Sequence, residues 1–248
     1  MKYKLFILLV IMILLMLLLI SCGVQEEQTQ QQTQQKDPNE LTFTTADEVN
    51  ITGKYTEVDT TRKAVLLLHM VGHDKSNYDN LTLYLLQNGY TVLALDFRGH
   101  GNSDLDYTQF TEENWQDLVL DVEAGLDFLE KRGYSHVAVI GASIGANAGF
   151  KQAIQDRRIR AIVLLSAGEE YHGINILQLA EFYDRPVLVV ASLDDKGAAI
   201  AATKIYNAAG TEYKEIKMYQ SGGHGTDLLA NQDGLPAIMV TWLQKYYG

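Results

Sequence analysis

Short apolar runs alternate with amphipathic stretches from residue 41 onward, and this alternation most constrains the fold. An apolar run of strand length, bounded by turn residues, is typical of a strand that is buried on both faces. Six such runs lie at 64–69, 91–96, 136–141, 161–166, 186–192 and 214–219. The stretches 115–129 and 235–243 carry apolar residues at helical spacing along one face, which predicts two helices. Strands that alternate with helices indicate one α/β domain with a mostly parallel sheet.

Two further strands are predicted before the first of these runs. Residues 41–45 and 51–59 alternate polar and apolar side chains and are joined by a short connection that includes Asp-Glu-Val-Asn. This pattern is typical of a two-stranded antiparallel pair. The folded domain is therefore expected to span residues 41–248, without internal repeats and without a second domain.

The first 22 residues are organised differently. Lys2 and Lys4 begin the chain and an apolar run follows at 5–20, which is the plan of an export signal. The run has 16 residues, whereas a membrane-spanning helix needs about 20. The sequence Leu-Ile-Ser-Cys at 19–22 resembles the lipobox of prokaryotic lipoproteins, and Cys22 is the only cysteine in the chain. The resemblance implies cleavage after residue 21 and lipidation of Cys22, for example with palmitate. An uncleaved N-terminal anchor is the alternative.

A polar segment follows at 23–40 and contains seven glutamines and one aliphatic residue. It cannot bury enough apolar surface to offset its chain entropy, so we expect residues 22–40 to form a lipidated, disordered linker. The chain has 20 Lys and Arg against 31 Asp and Glu, a net charge of −11. This balance disfavours nucleic acid as a partner, because phosphate binding needs clustered cations. Anionic lipid also repels an acidic domain, so the lipid on Cys22 is expected to hold it on the cell membrane, facing outside the cytoplasm.

A possible nucleophile follows the strand predicted at 136–140. The strand runs into Gly-Ala-Ser-Ile-Gly at 141–145, which is a Gly-x-Ser-x-Gly motif, and then into a helical stretch. Small residues around Ser143 allow a sharp turn that raises its hydroxyl above the sheet. The N–H groups at the start of the helix lie where they can stabilise an oxyanion. A plain glycine-rich turn is the alternative interpretation of this motif.

A serine hydroxyl is a weak nucleophile, so the chain must also supply a base and an acid that orients the base. His224 follows the last predicted strand, and Asp194 and Asp195 follow the strand predicted at 186–192. Active residues of parallel sheets collect at the carboxyl ends of the strands, where all these positions lie. The chain order Ser, Asp, His is that of α/β-hydrolases and differs from the orders in chymotrypsin and subtilisin.

Residues 45–247 resemble the α/β-hydrolase superfamily, close to its compact esterase and dienelactone-hydrolase-like members. Besides the serine motif, the resemblance rests on His-Met-Val-Gly at 69–72, Asp-Phe-Arg-Gly-His-Gly-Asn-Ser at 96–103 and Ala-Ser-Leu-Asp-Asp at 191–195. These segments are similar to the oxyanion turn, the D-x-R-G-x-G-x-S loop and the acid-bearing loop of the family. The resemblance implies a mostly parallel eight-stranded sheet flanked by helices.

The resemblance also implies a role for each residue of the predicted triad. Ser143 is the expected nucleophile, and His224 is the expected general base and then acid. Asp195 is expected to orient His224, because it lies three residues after Ser192, which takes the first glycine position of the family's G-x-x-D segment. Asp194 is the alternative if the loop is shifted by one residue.

The expected oxyanion donors are the backbone N–H groups of Ile144 and Val71. Met70 stands where the family has a glycine, and a side chain there narrows the approach or restricts the backbone. The Met70 N–H is therefore the alternative to that of Val71.

Neither a metal nor an organic cofactor is expected. His73 and Asp74 lie near the predicted site, but a zinc hydrolase needs three ligands at a recognisable spacing, such as His-Glu-x-x-His. The remaining histidines, at 69, 100, 136 and 172, are expected to be structural, loop or surface residues.

The segment 167–185, in which this fold carries its cap, has only 19 residues. Residues 174–183 are predicted to form one helix within it, so the cap is expected to be minimal and the cleft open. An open cleft favours short-to-medium acyl esters as small-molecule substrates. Glu169, Glu170, Tyr171 and His172 are expected near its mouth, so an anionic substrate is disfavoured.

The sequence therefore predicts a membrane-anchored serine hydrolase that cleaves carboxylic esters through an acyl-enzyme. A thioesterase, a peptidase or a carbon–carbon hydrolase on the same triad is the alternative, because fold and triad do not name the scissile bond. From a different class, a non-catalytic binding lipoprotein could be built on the same fold.

Overall fold

Ten strands lie within residues 37–58 and 62–248, which together with residue 3 are the part of the chain that the computed structural model describes. They are β1 (Glu40–Thr44), β2 (Asn50–Thr56), β3 (Ala64–Leu68), β4 (Thr91–Asp96), β5 (Val137–Ala142), β6 (Ile159–Leu165), β7 (Glu170–Tyr171), β8 (Ile174–Asn175), β9 (Val187–Ser192) and β10 (Lys214–Tyr219). The first strand begins one residue before the predicted domain start at 41. The predicted export signal, Cys22 and the linker as far as residue 36 lie outside the described residues.

Eight of these strands form one sheet in the order β1-β2-β4-β3-β5-β6-β9-β10. β2 pairs antiparallel with β1 and with β4, and the other pairs of this sheet are parallel. The predicted eight-stranded, mostly parallel sheet is thus confirmed, as is the antiparallel pair at its start. The carboxyl ends of the parallel strands meet at one edge, so the loops that follow β3, β5, β6, β9 and β10 come together there.

Seven α-helices accompany these strands in the described residues. They are α1 (Asp79–Gln87), α2 (Glu112–Gln116), α3 (Leu118–Lys131), α4 (Ile144–Gln155), α5 (Lys196–Ala208), α6 (Asp227–Asn231) and α7 (Leu235–Tyr246). The helix predicted through 115–129 is in fact two helices. They are divided at Asp117, whose carbonyl accepts a hydrogen bond from the N–H of Leu120, three residues later. None of the helices in the described part is long and apolar enough to cross a membrane.

The core lies on both faces of the sheet, which explains the continuous apolar runs. In β3, Leu66 and Leu68 pack with α3, α4 and α5, whereas Val65 and Leu67 pack on the opposite face with α1 and α7. Successive strand residues point to opposite faces, so a strand covered on both sides needs apolar residues at every position. β10 is the exception among the six predicted buried strands: it lies at the sheet edge and its residues are partly exposed.

The segment between β6 and β9 differs from the prediction. The helix predicted at 174–183 is wrong: β7 and β8 form a two-stranded hairpin there, followed by a 3₁₀ turn at Ala180–Phe182. His172 and Gly173 join the two strands with φ of 47° and 78°. Positive φ at both central residues is typical of a type I′ hairpin turn, which reverses the chain where a helix would continue. The side-chain oxygen of Asn175 then accepts a bond from the Gln178 N–H, a local bond that competes with helix formation.

Candidate active site

Ser143 makes the turn between β5 and α4 by itself. β5 ends at Ala142 and α4 begins at Ile144, and the backbone at Ser143 has φ 53° and ψ −120°. A non-glycine residue adopts such a conformation at a cost of about 1–3 kcal/mol, and strain of this kind is concentrated at functional sites. The Ser143 side chain is thereby placed at the carboxyl edge of the sheet, where the residue is only 7% exposed.

The two glycines of the motif allow the chain to pack closely around this turn. A Cβ on Gly145 would lie 2.5 Å from the carbonyl oxygens of both Leu68 and His69. A Cβ on Gly141 would lie 2.5 Å from the carbonyl oxygen of Gly145. Only glycine fits at these positions, and as a result the start of α4 lies directly against the end of β3.

His224 and Asp195 form a hydrogen-bonded pair at the same edge. The Nδ1 atom of His224 lies 2.5 Å from Oδ2 of Asp195. Asp195 caps α5, and its carboxylate also accepts a bond from the Ala198 N–H. His224 is on the loop between β10 and α6, and its side chain is 38% exposed. A carboxylate on Nδ1 fixes the tautomer in which Nε2 is free to accept a proton.

The neighbouring carboxylate, Asp194, has a different partner. Its oxygens accept bonds from the backbone N–H groups of Gly222 and Gly223, at 3.0 Å and 3.4 Å. The buried hydroxyl of Ser192 donates to the Gly223 carbonyl at 2.7 Å. Asp194 and Ser192 therefore hold the loop that carries His224, and the carboxylate on the imidazole is that of Asp195.

The loop that carries His224 packs on the turn that carries Ser143. A Cβ on Gly225 would lie 3.5 Å from Cβ of Ala142 and 2.5 Å from Sδ of Met70. The Met70 side chain is buried beneath this loop. The methionine that replaces the family's glycine therefore has a defined place, since it supports the histidine loop, and the φ of 57° at Gly225 favours glycine there.

His69 is fully buried and neutral behind this turn. The Phe97 N–H donates to Nε2 of His69 at 2.9 Å, so the ring proton is on Nδ1, which lies 2.8 Å from the Met70 carbonyl oxygen. Burial lowers the pKa of His69 to about 4, because the charged form would be desolvated. His69 thus donates a hydrogen bond to the turn, which agrees with the structural role expected for it.

This bond orients the peptide between Met70 and Val71. The Met70 carbonyl accepts from His69 Nδ1 and from the His73 N–H, and every described peptide bond is trans. The N–H of a trans peptide points away from its carbonyl, so the Val71 N–H is directed away from the side that His69 occupies. Ile144 is the first residue of α4, where an N–H has no partner within the helix.

Asp96, at the end of β4, ties the segment after this turn to the neighbouring glycine-rich loop. Its buried carboxylate accepts from the N–H of Lys75 at 2.8 Å, from Nζ of Lys75 at 2.5 Å and from the Asn102 N–H at 2.9 Å. A Cβ on Gly101 would lie 2.2 Å from Oδ2 of Asp96. The D-x-R-G-x-G-x-S segment is thus a structural brace in this chain.

Comparison with known proteins gives matches to hydrolases. The profile of the family described as "Serine aminopeptidase, S33" matches residues 59–174. A carboxylesterase of Bacillus subtilis strain 168 is 25% identical over 232 residues, which cover 74% of this chain and 93% of that protein. The structure of an esterase from Pyrococcus furiosus is similar, with a TM-score of 0.73 and 20% identity. The alignment covers 84% of this chain and 92% of the esterase chain. Together these matches support a serine hydrolase of the α/β-hydrolase superfamily.

The same fold recurs in an enol-lactonase from Burkholderia xenovorans LB400. Its structure has a TM-score of 0.69 at 15% identity, and the alignment covers 82% of this chain and 100% of the enol-lactonase chain. The family resemblance and the fold class expected from the sequence are therefore confirmed. No group of three or more His, Cys, Asp and Glu side chains is placed to hold a metal ion within the described residues.

Sequence reasoning missed Asn147 at this site and expected Tyr171 only near the mouth of the cleft. Burial raises the pKa of the Tyr171 phenol, while the nearby Ser143 side chain acts in the opposite direction, which places the phenol near the predicted nucleophile. Asn147 is fully buried four residues after Ser143. A lone amide in the apolar run Ala-Asn-Ala-Gly-Phe was a usable signal for Asn147, whereas no local pattern marks Tyr171.

Proposed function

We propose that this protein is a carboxylesterase that acts through an acyl-enzyme on Ser143. The observation that carries the proposal is the hydrogen bond of 2.5 Å between His224 and Asp195, with the His224 loop packed against the strained turn of Ser143. The carboxylesterase relative in Bacillus subtilis supports an ester as the substrate. The proposed roles are nucleophile for Ser143, base and then acid for His224, and orienting carboxylate for Asp195.

The first half of the reaction forms the acyl-enzyme. Nε2 of His224 takes the proton of the Ser143 hydroxyl as Oγ attacks the ester carbonyl carbon. The developing oxyanion accepts bonds from the N–H groups of Ile144 and Val71. The tetrahedral intermediate collapses, the alkoxy bond breaks, and the proton on Nε2 passes to the leaving alcohol. Asp195 stabilises the imidazolium throughout and itself stays ionised.

The second half releases the acid. A water molecule loses its proton to Nε2 of His224 and attacks the acyl carbon, which regenerates the oxyanion in the same hole. The bond to Ser143 Oγ then breaks and Oγ recovers the proton from the imidazolium. The net change is one ester and one water converted into one alcohol and one carboxylic acid.

A fluorophosphonate probe tests the nucleophile directly. The purified full-length chain should be labelled covalently at Ser143, and Ser143→Ala should lose both labelling and turnover of p-nitrophenyl acetate, by about 10⁶-fold in rate. The matched control is Ser166→Ala, at the end of the neighbouring strand β6, which should keep both. Continued labelling of Ser143→Ala would refute the assignment, and a wild-type chain without label or turnover would support a non-catalytic protein.

A peptidase is the second candidate, because the matching family profile is described as a serine aminopeptidase. Glu170, on the exposed part of the hairpin next to Tyr171, offers a carboxylate that could pair with a peptide amino group. Aminoacyl p-nitroanilides separate the two functions. Their kcat/KM should lie far below that of p-nitrophenyl acetate, and a higher value would replace the esterase proposal.

We also propose that lipid on Cys22 holds the enzyme on the cell membrane, outside the cytoplasm. The support is the sequence Leu-Ile-Ser-Cys at 19–22 behind a basic start and an apolar run. In a bacterial host fed an alkyne analogue of palmitate, the wild type should carry the label and Cys22→Ser should not. Equal labelling of both would contradict lipidation at this residue.

A further inference from the structure

The β7–β8 hairpin places one side chain at the proposed nucleophile. β7 ends with Tyr171, and the turn of His172 and Gly173 returns the chain along β8. The Tyr171 ring packs flat against the start of this segment: a Cβ on Gly168 would lie 2.7 Å from its ring carbons. The Tyr171 phenol lies near the Ser143 side chain.

The hairpin is anchored to the helix that follows the nucleophile. Nδ2 of Asn147 donates to the carbonyls of Gly168 at 3.2 Å and Ile174 at 3.0 Å, and Oδ1 accepts from the Gly168 N–H at 3.2 Å. One buried amide therefore binds the segment just before β7 and the first residue of β8. Because Asn147 lies one helical turn after Ser143, the hairpin is held in register with the nucleophile.

A second anchor holds the tip of the hairpin. The ring of His172 stacks on Trp115 with centroids 4.2 Å apart and an interplanar angle of 11°. Trp115 in turn packs edge-on against Phe110 at 4.9 Å. Near the base, Nζ of Lys204 lies 2.7 Å from Oε1 of Glu169. Attachments at base and tip make the hairpin a fixed wall rather than a mobile lid.

The strand order defines which side of the nucleophile this wall covers. In the sheet, β5 lies between β3 and β6, so the turn after β3 and the hairpin after β6 flank Ser143 from opposite sides. The oxyanion of a tetrahedral intermediate points to the side of the β3 turn, with Val71 and Ile144. The leaving oxygen must face His224, which protonates it. That leaves the side of the hairpin for the remaining substituent, the acyl group.

We propose that Tyr171 is a specificity-determining residue that closes the acyl side of the site and restricts the enzyme to short acyl groups. The inference rests on the proposed esterase function and deepens it by naming the substrate class. It also narrows the expectation of short-to-medium acyl esters, because Tyr171 on the hairpin lies on one side of Ser143.

Chain-length selection tests this inference. For the full-length chain, kcat/KM is measured with p-nitrophenyl acetate, butyrate and octanoate in the wild type, Tyr171→Ala and Tyr171→Phe. The octanoate-to-acetate ratio should rise at least about tenfold in Tyr171→Ala, since space for several methylenes becomes free. Tyr171→Phe keeps the ring and should keep the wild-type ratio. If Tyr171→Ala does not fold, Tyr171→Leu, which is shorter but still apolar, takes its place.

Other results would overturn the inference. An unchanged ratio in Tyr171→Ala, or an equal fall in kcat/KM for all three esters, would show that Tyr171 has only a structural role. A wild type that prefers octanoate to acetate would contradict a short acyl pocket. A wild type that hydrolyses none of the esters would instead contradict the proposed function and, with it, this inference.

Discussion

Replacement of Asp195 by asparagine, compared with the same replacement at Asp194, tests the proposed triad most sharply. The two carboxylates are adjacent in the chain and equal in charge, but only Asp195 contacts Nδ1 of His224, at 2.5 Å. Asp194 accepts from the N–H groups of Gly222 and Gly223. An asparagine oxygen can still accept those bonds, so Asp194→Asn conserves its contacts and serves as the matched control.

The size of the effect follows from the charge that is lost. An imidazolium and a carboxylate whose charge centres are about 4 Å apart interact by about 4 kcal/mol at an effective dielectric constant of about 20. That energy corresponds to about 1,000-fold in rate. Solvent around the partly exposed His224 lowers this figure, while loss of the required tautomer raises it. We expect kcat to fall by about 1,000-fold to 10,000-fold in Asp195→Asn and by less than about tenfold in Asp194→Asn.

The assay is the hydrolysis of p-nitrophenyl acetate at neutral pH, with thermal unfolding as the check on folding. Both variants should unfold within a few degrees of the wild type, because both side chains lie at the rim of the site. Two results would refute the reasoning. One is an Asp195→Asn variant that keeps kcat within tenfold of the wild type, and the other is an Asp194→Asn variant that loses more activity than its neighbour.

Further predictions concern the backbone of the nucleophile turn and its buried histidine. Gly145→Ala should destabilise the fold by about 1–3 kcal/mol and lower activity, because its Cβ would lie 2.5 Å from two carbonyl oxygens. Gly197→Ala is also at the second position of a helix but has open space around its Cβ, so it should stabilise the fold by up to about 1 kcal/mol. Similar changes in the free energy of unfolding of the two variants, measured in urea, would contradict the proposed clash at Gly145. Burial lowers the pKa of His69 to about 4, against about 6.5 in the unfolded chain, so the unfolded state binds the proton more tightly. The contribution of neutral His69 to the free energy of unfolding should therefore be fully present above about pH 6.5 and be lost toward pH 4, by up to roughly 3 kcal/mol. His69→Gln should show a smaller decrease over this range. Parallel curves of stability against pH for the wild type and the variant would contradict this reasoning.

Much of the fold could be predicted because the central strands are buried on both faces. Every residue of β5 is buried, so its apolar character is visible in the sequence without knowledge of its neighbours. The turn at Ser143 is equally local, since glycines at 141 and 145 are required by contacts that the turn itself creates. These elements have local causes, and local patterns are sufficient to predict them.

The hairpin between β6 and β9 could not be predicted in this way. Residues 174–183 contain enough apolar side chains for a helix, but Ile174 and Ile176 are buried by packing beside α4 rather than along a helical face. Tertiary hydrogen bonds from Asn147 hold the segment extended at Gly168 and Ile174. Long-range contacts outweigh local helix propensity, which amounts to less than about 1 kcal/mol per residue.

The sequence by itself determined the α/β domain, the family resemblance and the candidate residues Ser143 and His224, because these depend on burial and on motifs within a few residues of one another. Only the tertiary structure decided which of Asp194 and Asp195 contacts the imidazole, where the Met70 side chain packs, and that Tyr171 lies beside Ser143. The physical reason is the range of the interactions. A turn or a buried strand follows from its own residues, whereas a hydrogen bond between loops 29 residues apart depends on how the sheet brings their ends together.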